Sequence, residues 1–166
     1  REQRDWCHKM ANVLDKLPKR LQPKAKRLLQ EAMNAATRAD AEAAIDDFEC
    51  QFGAKYPKAT KCLTKDREAL LTHFDFPAEH WRHLRTTNVI ESPFATVRLR
   101  QRVTKGAGNR TKALIMAFKL LEMAQQRWRR LNGSHLIPLV QAGVPYVDGE
   151  RVERNDNNPK DRKDAA

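Results

Sequence analysis

The sequence predicts a mainly α-helical chain, and three observations support this prediction. Apolar residues recur at helical spacing through most of the 166 residues. Residues that typically begin or end helices, among them Pro18, Pro23 and Thr37, fall between these apolar patterns. We find no convincing alternation of apolar and polar residues beyond short stretches at 2–6 and 144–147, so little sheet is expected.

The first half of the chain is predicted to form a series of packed helices. A stripe that begins at Trp6 runs to a stop at Pro18, and a second helix follows with Pro23 in its first turn. Thr37 is expected to cap a third helix, with Asp40 completing a capping box. One or two short helices should come next. The apolar positions expected to be buried in the first and third helices are Trp6, Met10, Val13, Leu14 and Leu17, and Ala41, Ala44, Ile45, Phe48 and Phe52.

Two longer helices are predicted in the second half. One begins at Asn88, with Pro93 inside it, or is capped by Ser92 with Pro93 in the first turn. The other begins at Asn109 or Thr111 and is expected over about 112–131. The positions expected to be buried in these two helices are Ile90, Phe94 and Val97, and Leu114, Phe118, Leu121 and Trp128.

The remaining aromatic and imidazole residues of this half are interpreted as packing residues. His73, His80 and His83 are close in sequence, but with Trp81 nearby their spacing favours packing over metal binding. Trp81 and Trp128 are both expected in the core. Residues from 148 onwards contain no aromatic side chains and few apolar ones, which predicts a disordered tail at 148–166.

The net charge of +11 is concentrated in one segment. Residues 1–80 carry 15 Lys and Arg against 13 Asp and Glu, residues 81–132 carry 12 against 2, and residues 133–166 carry 5 against 6. A local excess of this kind favours a polyanionic partner, most often nucleic acid, although a solvated basic surface is the structural alternative. No apolar run approaches the ~20 residues that span a bilayer, so no membrane partner is expected.

The three cysteines also limit the possibilities. Cys7, Cys50 and Cys62 have no short paired spacing, which argues against a disulfide framework and for a reducing compartment.

One carboxylate stands among the arginines of residues 83–102, HLRTTNVIESPFATVRLRQR. In one interpretation, Asn88 caps a helix and Glu91 completes its capping box, or Glu91 joins a surface ion-pair ladder with Arg98 and Arg102. In the other, Glu91 is held rigidly beside a DNA-binding surface as an oxygen ligand of Mg²⁺. A two-metal site needs further carboxylates, so Glu91 alone cannot form one.

A family resemblance favours the second interpretation. The stretch HWRHLRTTNVIESPFATVRLRQRVTKG, with FDFPAEHW before it and FKLLEMAQQRWRRLNG after it, resembles the bacterial Mutator-type insertion-sequence transposases. CHKMANVLDKLP and GAKYPKATKCLTKDREALL resemble the same family, so the resemblance covers about residues 1–149. It implies an RNase H-like catalytic domain with an Asp–Asp–Glu triad and Mg²⁺, in which a helical insertion precedes the glutamate.

By this resemblance, Glu91 is the triad glutamate and a Mg²⁺ ligand. Both aspartates and most of the sheet would lie upstream, so we expect a C-terminal portion that is inactive alone. The family also has a Cys-x-x-His pattern where this chain reads RDWCHK, so Asp5 replaces the cysteine, while His8 matches. His8 and Asn88 are possible auxiliary residues. The expected parts are the end of a catalytic-domain strand at 1–8, the helical insertion at 9–80, the C-terminal helices of the catalytic domain at 81–147, and the tail.

The resemblance further implies double-stranded DNA, both element ends and target, as the partner of a bacterial cytoplasmic, nucleoid-associated protein that forms a homo-oligomer in a transposition complex. Two alternatives remain open: a non-catalytic helical DNA-binding remnant or regulator, and a helical module that binds RNA or protein. The residues predicted to contact DNA phosphates are Arg85, Arg98, Arg100, Arg102, Lys105, Arg110 and Lys112.

Overall fold

A computed structural model describes residues 2–152, apart from the side chains of Val89 and Ile90. The described part is mainly helical, which confirms the predicted class. The helices are α1 (Trp6–Leu14), α2 (Gln22–Asn34), α3 (Arg38–Phe52), α4 (Pro57–Thr64), α5 (Arg67–Leu71), α6 (Trp81–Leu84), α7 (Asn88–Val103), α8 (Arg110–Gln125) and α9 (Ile137–Gln141). Strands β1 (Tyr146–Val147) and β2 (Glu150–Arg151) form a small antiparallel hairpin.

Helices α1 to α5 enclose the hydrophobic core. Helix α2 packs along α3, and α4 contacts both α1 and α3. The stripes predicted for α1 and α3 are confirmed, although Leu14 and Ala44 are only partly buried. Thr37 caps α3 as predicted, because its Oγ1 accepts a hydrogen bond from the amide of Asp40 at 3.1 Å. The largest apolar side chains that are fully buried are Trp6, Phe48, Phe74, Leu29, Ile45, Leu63, Leu70 and Leu71.

Beyond α5, the core continues through His73 to Trp81. The imidazole of His73 is fully buried, donates from Nδ1 to the Leu70 carbonyl at 3.0 Å, and meets the Trp81 ring edge-on. Burial lowers the pKa of His73 to about 4, so this ring is neutral at neutral pH. The packing role predicted for His73 and Trp81 is therefore confirmed.

The other two histidines of this region hold the turn that follows α8. Nε2 of His80 donates to the carbonyl of Gly133 at 2.9 Å, and Nε2 of His83 accepts from the amide of Asn132 at 3.1 Å. Their role in the structure is to hold this turn by hydrogen bonds, so the packing role predicted from the sequence is confirmed for His73 but not for His80 and His83.

The β-hairpin occupies part of the segment that was expected to be a tail. Asp148 caps α3, since its Oδ1 accepts from the amide of Arg38 at 2.7 Å. The backbone of Gly149 bonds to the Phe74 carbonyl and to the Ala78 amide, at 3.3 and 3.1 Å. The tail predicted from 148 is thus wrong for 148–152, because backbone hydrogen bonds hold a segment that lacks apolar content. Residues 153–166 lie outside the described part.

Helices α7 and α8 pack mainly against each other and contribute no buried side chain among those described. Leu114, Phe118 and Trp128 are 61%, 63% and 58% exposed, so the buried face predicted for the longest helix is wrong within this structure. The stripe is present, but no other element of the described chain covers it. Asn109 caps α8 as predicted, whereas the helix ends at Gln125.

The segment before α1 has no strand partner among the described residues. The amide of Arg4 donates to the Ala69 carbonyl at 2.8 Å, and the amide of Trp6 donates to the Arg85 carbonyl at 2.9 Å. These bonds join the start of the chain to α5 and to the C-terminal end of α6.

We predict that Gly149→Ala destabilises the fold far more than Gly143→Ala. Both glycines have a positive φ, +84° and +74°, so alanine is strained at either position by about 1–2 kcal/mol. A Cβ at 149 would also lie 2.6 Å from Cβ of Ala78 and 2.9 Å from Cζ2 of Trp81, whereas a Cβ at 143 meets nothing within 4 Å. Urea denaturation should show an additional loss of about 1–3 kcal/mol for Gly149→Ala. Equal losses of stability in the two variants would contradict the packing of the β-hairpin against Ala78 and Trp81.

Candidate functional site

The first turn of α7 is formed differently from the predicted capping box. The helix begins at Asn88, with Thr87 as its N-cap, so Glu91 is the fourth helical residue rather than the third. The amide of Glu91 donates to the Thr87 carbonyl at 3.0 Å, and the amide of Asn88 donates to Oγ1 of Thr86 at 3.2 Å. Asn88 therefore does not cap this helix, and the Asn88–Glu91 capping box is not formed.

Pro93 lies inside α7, which agrees with the alternative in which the helix starts near Asn88. A proline has no amide hydrogen, so it makes no hydrogen bond to the carbonyl of Val89 four residues earlier. This missing hydrogen bond spans Glu91, which lies two residues before Pro93.

Asp5 supplies the missing cap from another part of the chain. Its Oδ1 accepts from the amide of His8 at 2.6 Å, which caps α1, and from Nδ1 of His8 at 2.9 Å. Its Oδ2 accepts from the amide of Thr87 at 2.6 Å. Partial burial raises the pKa of Asp5, but hydrogen bonds from His8 and Thr87 outweigh this effect and hold the pKa below its ordinary value. A single ionised carboxylate thus joins the starts of two helices.

The carboxylate of Glu91 is held by the same residues. Oγ1 of Thr87 lies 2.8 Å from Oε1 of Glu91 and 3.2 Å from Oδ2 of Asp5. Since a hydroxyl has one proton, the shorter contact favours donation to Glu91. Nε2 of His8 lies 3.5 Å from the same Oε1. The side chain of Glu91 is nevertheless 44% exposed, so a carboxylate with a fixed direction remains open to a ligand.

The two auxiliary residues predicted from the sequence are both at this junction. His8 contacts Glu91 directly, while Nδ2 of Asn88 lies 3.9 Å from Sγ of Cys7. Asp5 and Thr87 were not predicted as site residues. The D-x-x-H spacing of Asp5 and His8, an N-cap acid followed by its third residue, is a local signal that could have identified the first of them.

The donor set at this junction limits what the chain can hold alone. Among the described residues, no group of three or more His, Cys, Asp or Glu side chains is arranged to bind a metal ion. A divalent cation at this junction would need further carboxylates besides Glu91.

The basic residues predicted to contact DNA lie mainly at the opposite end of the α7–α8 hairpin. With a rise of 1.5 Å per residue, Arg98 and Arg102 are about 10.5 and 16.5 Å along α7 from Glu91. No ion-pair ladder joins them to Glu91, whose partners are His8 and Thr87. We call this exposed set the hairpin basic surface: Arg98, Arg100, Arg102, Lys105, Arg110 and Lys112.

Within the described chain, no acidic side chain neutralises the hairpin basic surface. No acid occurs between residues 98 and 112, and none of the six cations forms an ion pair within the part of the chain that the structure describes. The loop between the helices is shaped by positive φ at Lys105, Gly106 and Gly108, at 53°, 96° and 77°. Glycine adopts this conformation without strain, which lets the backbone turn tightly between two cationic helix ends.

Arg85 is placed apart from this surface. Its Nη1 donates to the Met33 carbonyl at 2.5 Å, and its guanidinium lies 6.0 Å from the centre of the Trp81 ring. Burial lowers the pKa of Arg85. These contacts give Arg85 a structural role between α2 and α6, so we do not include it in the hairpin basic surface.

Among the described residues, none of the helices combines the length and the apolar character that crossing a bilayer requires.

Comparison with known proteins gives a consistent result. Residues 1–130 match the family model described as transposase, Mutator family. The chain is 52% identical, over 93% of its length, to a transposase for insertion sequence element IS6120 of Mycolicibacterium smegmatis. It is 48% identical, over 99%, to a transposase for insertion sequence element IST2 of Acidithiobacillus ferrooxidans. The matches cover 48% and 55% of these relatives, so the chain spans about half of their length.

The bridge through Asp5 can be tested by comparing Asp5→Ser with Asp5→Ala. Serine can still cap α1 by accepting from the His8 amide, but it has no second oxygen for the Thr87 amide. We expect amide hydrogen exchange at Thr87 to accelerate in both variants and exchange at His8 to accelerate only in Asp5→Ala. The alanine variant should lose about 1 kcal/mol more stability than the serine variant. Unchanged exchange at Thr87 in Asp5→Ser would show that Asp5 does not bridge the helices.

Proposed function

Because the chain belongs to the Mutator family of transposases, we propose that it is the C-terminal part of an enzyme that moves an insertion sequence by cutting and joining DNA. In this proposal Glu91 is the catalytic carboxylate. The observation that carries it is the orientation of Glu91, whose Oε1 faces Thr87 and His8 while Asp5 fixes both of these residues.

The network around Glu91 supports a role that depends on direction. A helix-surface glutamate normally samples several rotamers, and contacts to one carboxylate oxygen reduce that freedom. The positive ends of the α1 and α7 dipoles meet here and attract negatively charged groups. The side chain is thus suited to contribute a charged oxygen at a constant position.

We propose Mg²⁺ as the cofactor of the whole enzyme, with Glu91 as one of its ligands. The other ligands would be the two aspartates that the family resemblance implies, outside the part of the relatives that this chain matches. Bound metal in such sites activates the attacking oxygen of a phosphodiester reaction and stabilises the leaving one. In this chain, the task of Asp5, Thr87 and His8 is to keep the Glu91 carboxylate in place.

The proposed partner is double-stranded DNA, both at the element ends and at the target. The hairpin basic surface would contact backbone phosphates, because its long cationic side chains are exposed and unpaired within the described chain. Contacts of this kind position a duplex without selecting its sequence. The proposal includes a homo-oligomeric transposition complex and a place in the bacterial cytoplasm at the nucleoid.

The uncovered apolar stripe of α7 and α8 supports the proposed RNase H-like fold. An exposed set of large apolar side chains on one hairpin is typical of a surface that packs on another element. We propose that the sheet of the catalytic domain covers it in the whole protein. The residues concerned are Phe94, Leu99, Val103, Leu114, Ile115, Phe118 and Met123.

The catalytic role is tested by Glu91→Gln, with Glu122→Gln as the matched control. This segment would replace the corresponding half of the IS6120 transposase, and strand cleavage would be measured on an element-end duplex once the unaltered chimera is active. We expect Glu91→Gln to reduce cleavage by more than about 10³-fold, because it removes an anionic ligand. Folding and DNA affinity should be retained. Glu122 is an exposed α8 acid that pairs with Lys119, so its amide should cut at the parental rate. A Glu91→Gln chimera that still cuts normally would remove Glu91 from the triad.

The DNA-binding role is tested by changing Arg98, Arg100 and Arg102 to Ala. Each phosphate contact contributes about 0.9 to the slope of log K against log salt, so the slope should flatten by up to about 2.7. Fluorescence anisotropy with a labelled duplex gives this slope for the present chain. Replacing the exposed lysines Lys19, Lys24 and Lys26 by Ala makes the same change in net charge elsewhere and should have little effect on the slope.

A further inference from the structure

A second basic surface lies in the first half of the chain, between α1 and α4. Three residues of α1 and the turn after it, Lys9, Asn12 and Lys16, are spaced by three and four positions. Lys58, Lys61 and Lys65 repeat this spacing along α4 and its C-cap. Since α1 and α4 pack against each other, the two rows face a common groove of about 510 Å³. We call it the α1–α4 groove.

The floor of the groove is neutralised. Lys9 is buried, forms an ion pair with Asp66, and donates to the Cys62 carbonyl at 3.0 Å. Asp66 is the one acid among the side chains that line the groove. The hydrogen bond from Lys9 lowers the pKa of Asp66, which keeps this carboxylate ionised and paired with Lys9.

The walls of the groove remain cationic. Lys16, Lys58, Lys61 and Lys65 are exposed, and none of them lies in an ion pair within the described residues. Arg4 adds a further cation at one end, although it pairs with Glu2 at 2.9 Å. This concentration is not visible in the sequence, because acids elsewhere in residues 1–80 reduce their net charge to +2.

We infer that the α1–α4 groove binds the phosphate backbone of a DNA duplex, as a contact separate from the hairpin basic surface. The row on α4 extends about 10.5 Å from Lys58 to Lys65, which matches about three phosphates at 3.4 Å of axial rise per strand. Exposed lysines in a row suit an extended polyanion, whereas a small anion is typically held by converging, buried donors. Uncharged side chains recognise base edges by presenting a hydrogen-bond donor beside an acceptor, and Asn12 is the only side chain of this kind that lines the groove. We therefore expect the groove to show little sequence selectivity.

The groove also has a defined relation to the candidate catalytic carboxylate. It runs along α1, the helix whose first turn carries His8 in contact with Glu91. DNA bound there would follow the same helix toward the Asp5–Glu91 junction. The inference extends the proposed function by a second contact surface, and it does not require Glu91 to be catalytic.

The groove is tested in the present chain by changing Lys58, Lys61 and Lys65 to Gln. The control changes Lys19, Lys24 and Lys26 to Gln, which alters the net charge by the same amount on another exposed part of the surface. We expect the salt slope for a 30-base-pair duplex to fall by about 2–3 in the groove variant and by less than about 0.5 in the control. Equal slopes and affinities in the two variants would overturn the inference.

A second measurement uses the unaltered chain and so does not depend on the folding of a variant. Lysine acetylation followed by mass spectrometry is compared with and without the duplex. Lys58, Lys61 and Lys65 should be protected at least about fivefold by DNA, while Lys19, Lys24 and Lys26 should react as before. Groove lysines that react equally in both conditions would refute the inference. Full protection by inorganic phosphate alone, at constant ionic strength, would instead identify a small-anion site and would also refute it.

These experiments give different results if the inference about the groove is wrong and if the proposed function is wrong. If only the Arg98, Arg100 and Arg102 variant loses affinity and slope, the hairpin basic surface is supported and the groove is rejected. If only the groove variant does so, the groove is supported and the DNA-binding role proposed for the hairpin is rejected. If the unaltered chain does not bind duplex DNA, both contact surfaces are rejected.

Discussion

The arrangement of the candidate site depends on one carboxylate, that of Asp5. Its two oxygens accept from the amides of His8 and Thr87, so the positive ends of α1 and α7 are held against the same charge. The position of Asp5 is in turn fixed by Trp6, which is fully buried and donates from Nε1 to the Leu70 carbonyl at 2.9 Å. The core thus determines where Asp5 lies, and Asp5 determines which way Glu91 points.

Helix α1 performs three roles because its period of 3.6 residues separates three faces. Trp6, Met10 and Val13 face the core. His8 contacts Glu91, and Lys9 forms the floor of the α1–α4 groove. In contrast, α7 and α8 have cationic and apolar surfaces that the described chain leaves uncovered. The first half is therefore a packed unit. The α7–α8 hairpin, in contrast, has the exposed apolar and cationic side chains of an element that binds to other surfaces.

The successes of sequence analysis concern local interactions. The cap of α3 by Thr37, the cap of α8 by Asn109 and the buried stripe from Trp6 depend on residues within one or two helical turns, and all are confirmed. The cap of α7 was not predicted, because it comes from Asp5, a residue 82 positions before Thr87. Arg85 was grouped with the hairpin arginines on charge alone, whereas its partners are the Met33 carbonyl and the Trp81 ring.

The sequence by itself determined the helical class, the stripes of the core, the segment of high positive charge, the family and the choice of Glu91 as the candidate carboxylate. These follow from periodicity, composition and motif, which are properties of neighbouring residues. The tertiary structure alone decided that Asp5 and Thr87 orient Glu91, that Asp148 caps α3, and that lysines of α1 and α4 share a groove. The physical reason is that these contacts join segments far apart along the chain, and only the packing of the core brings such segments to hydrogen-bonding or van der Waals distance.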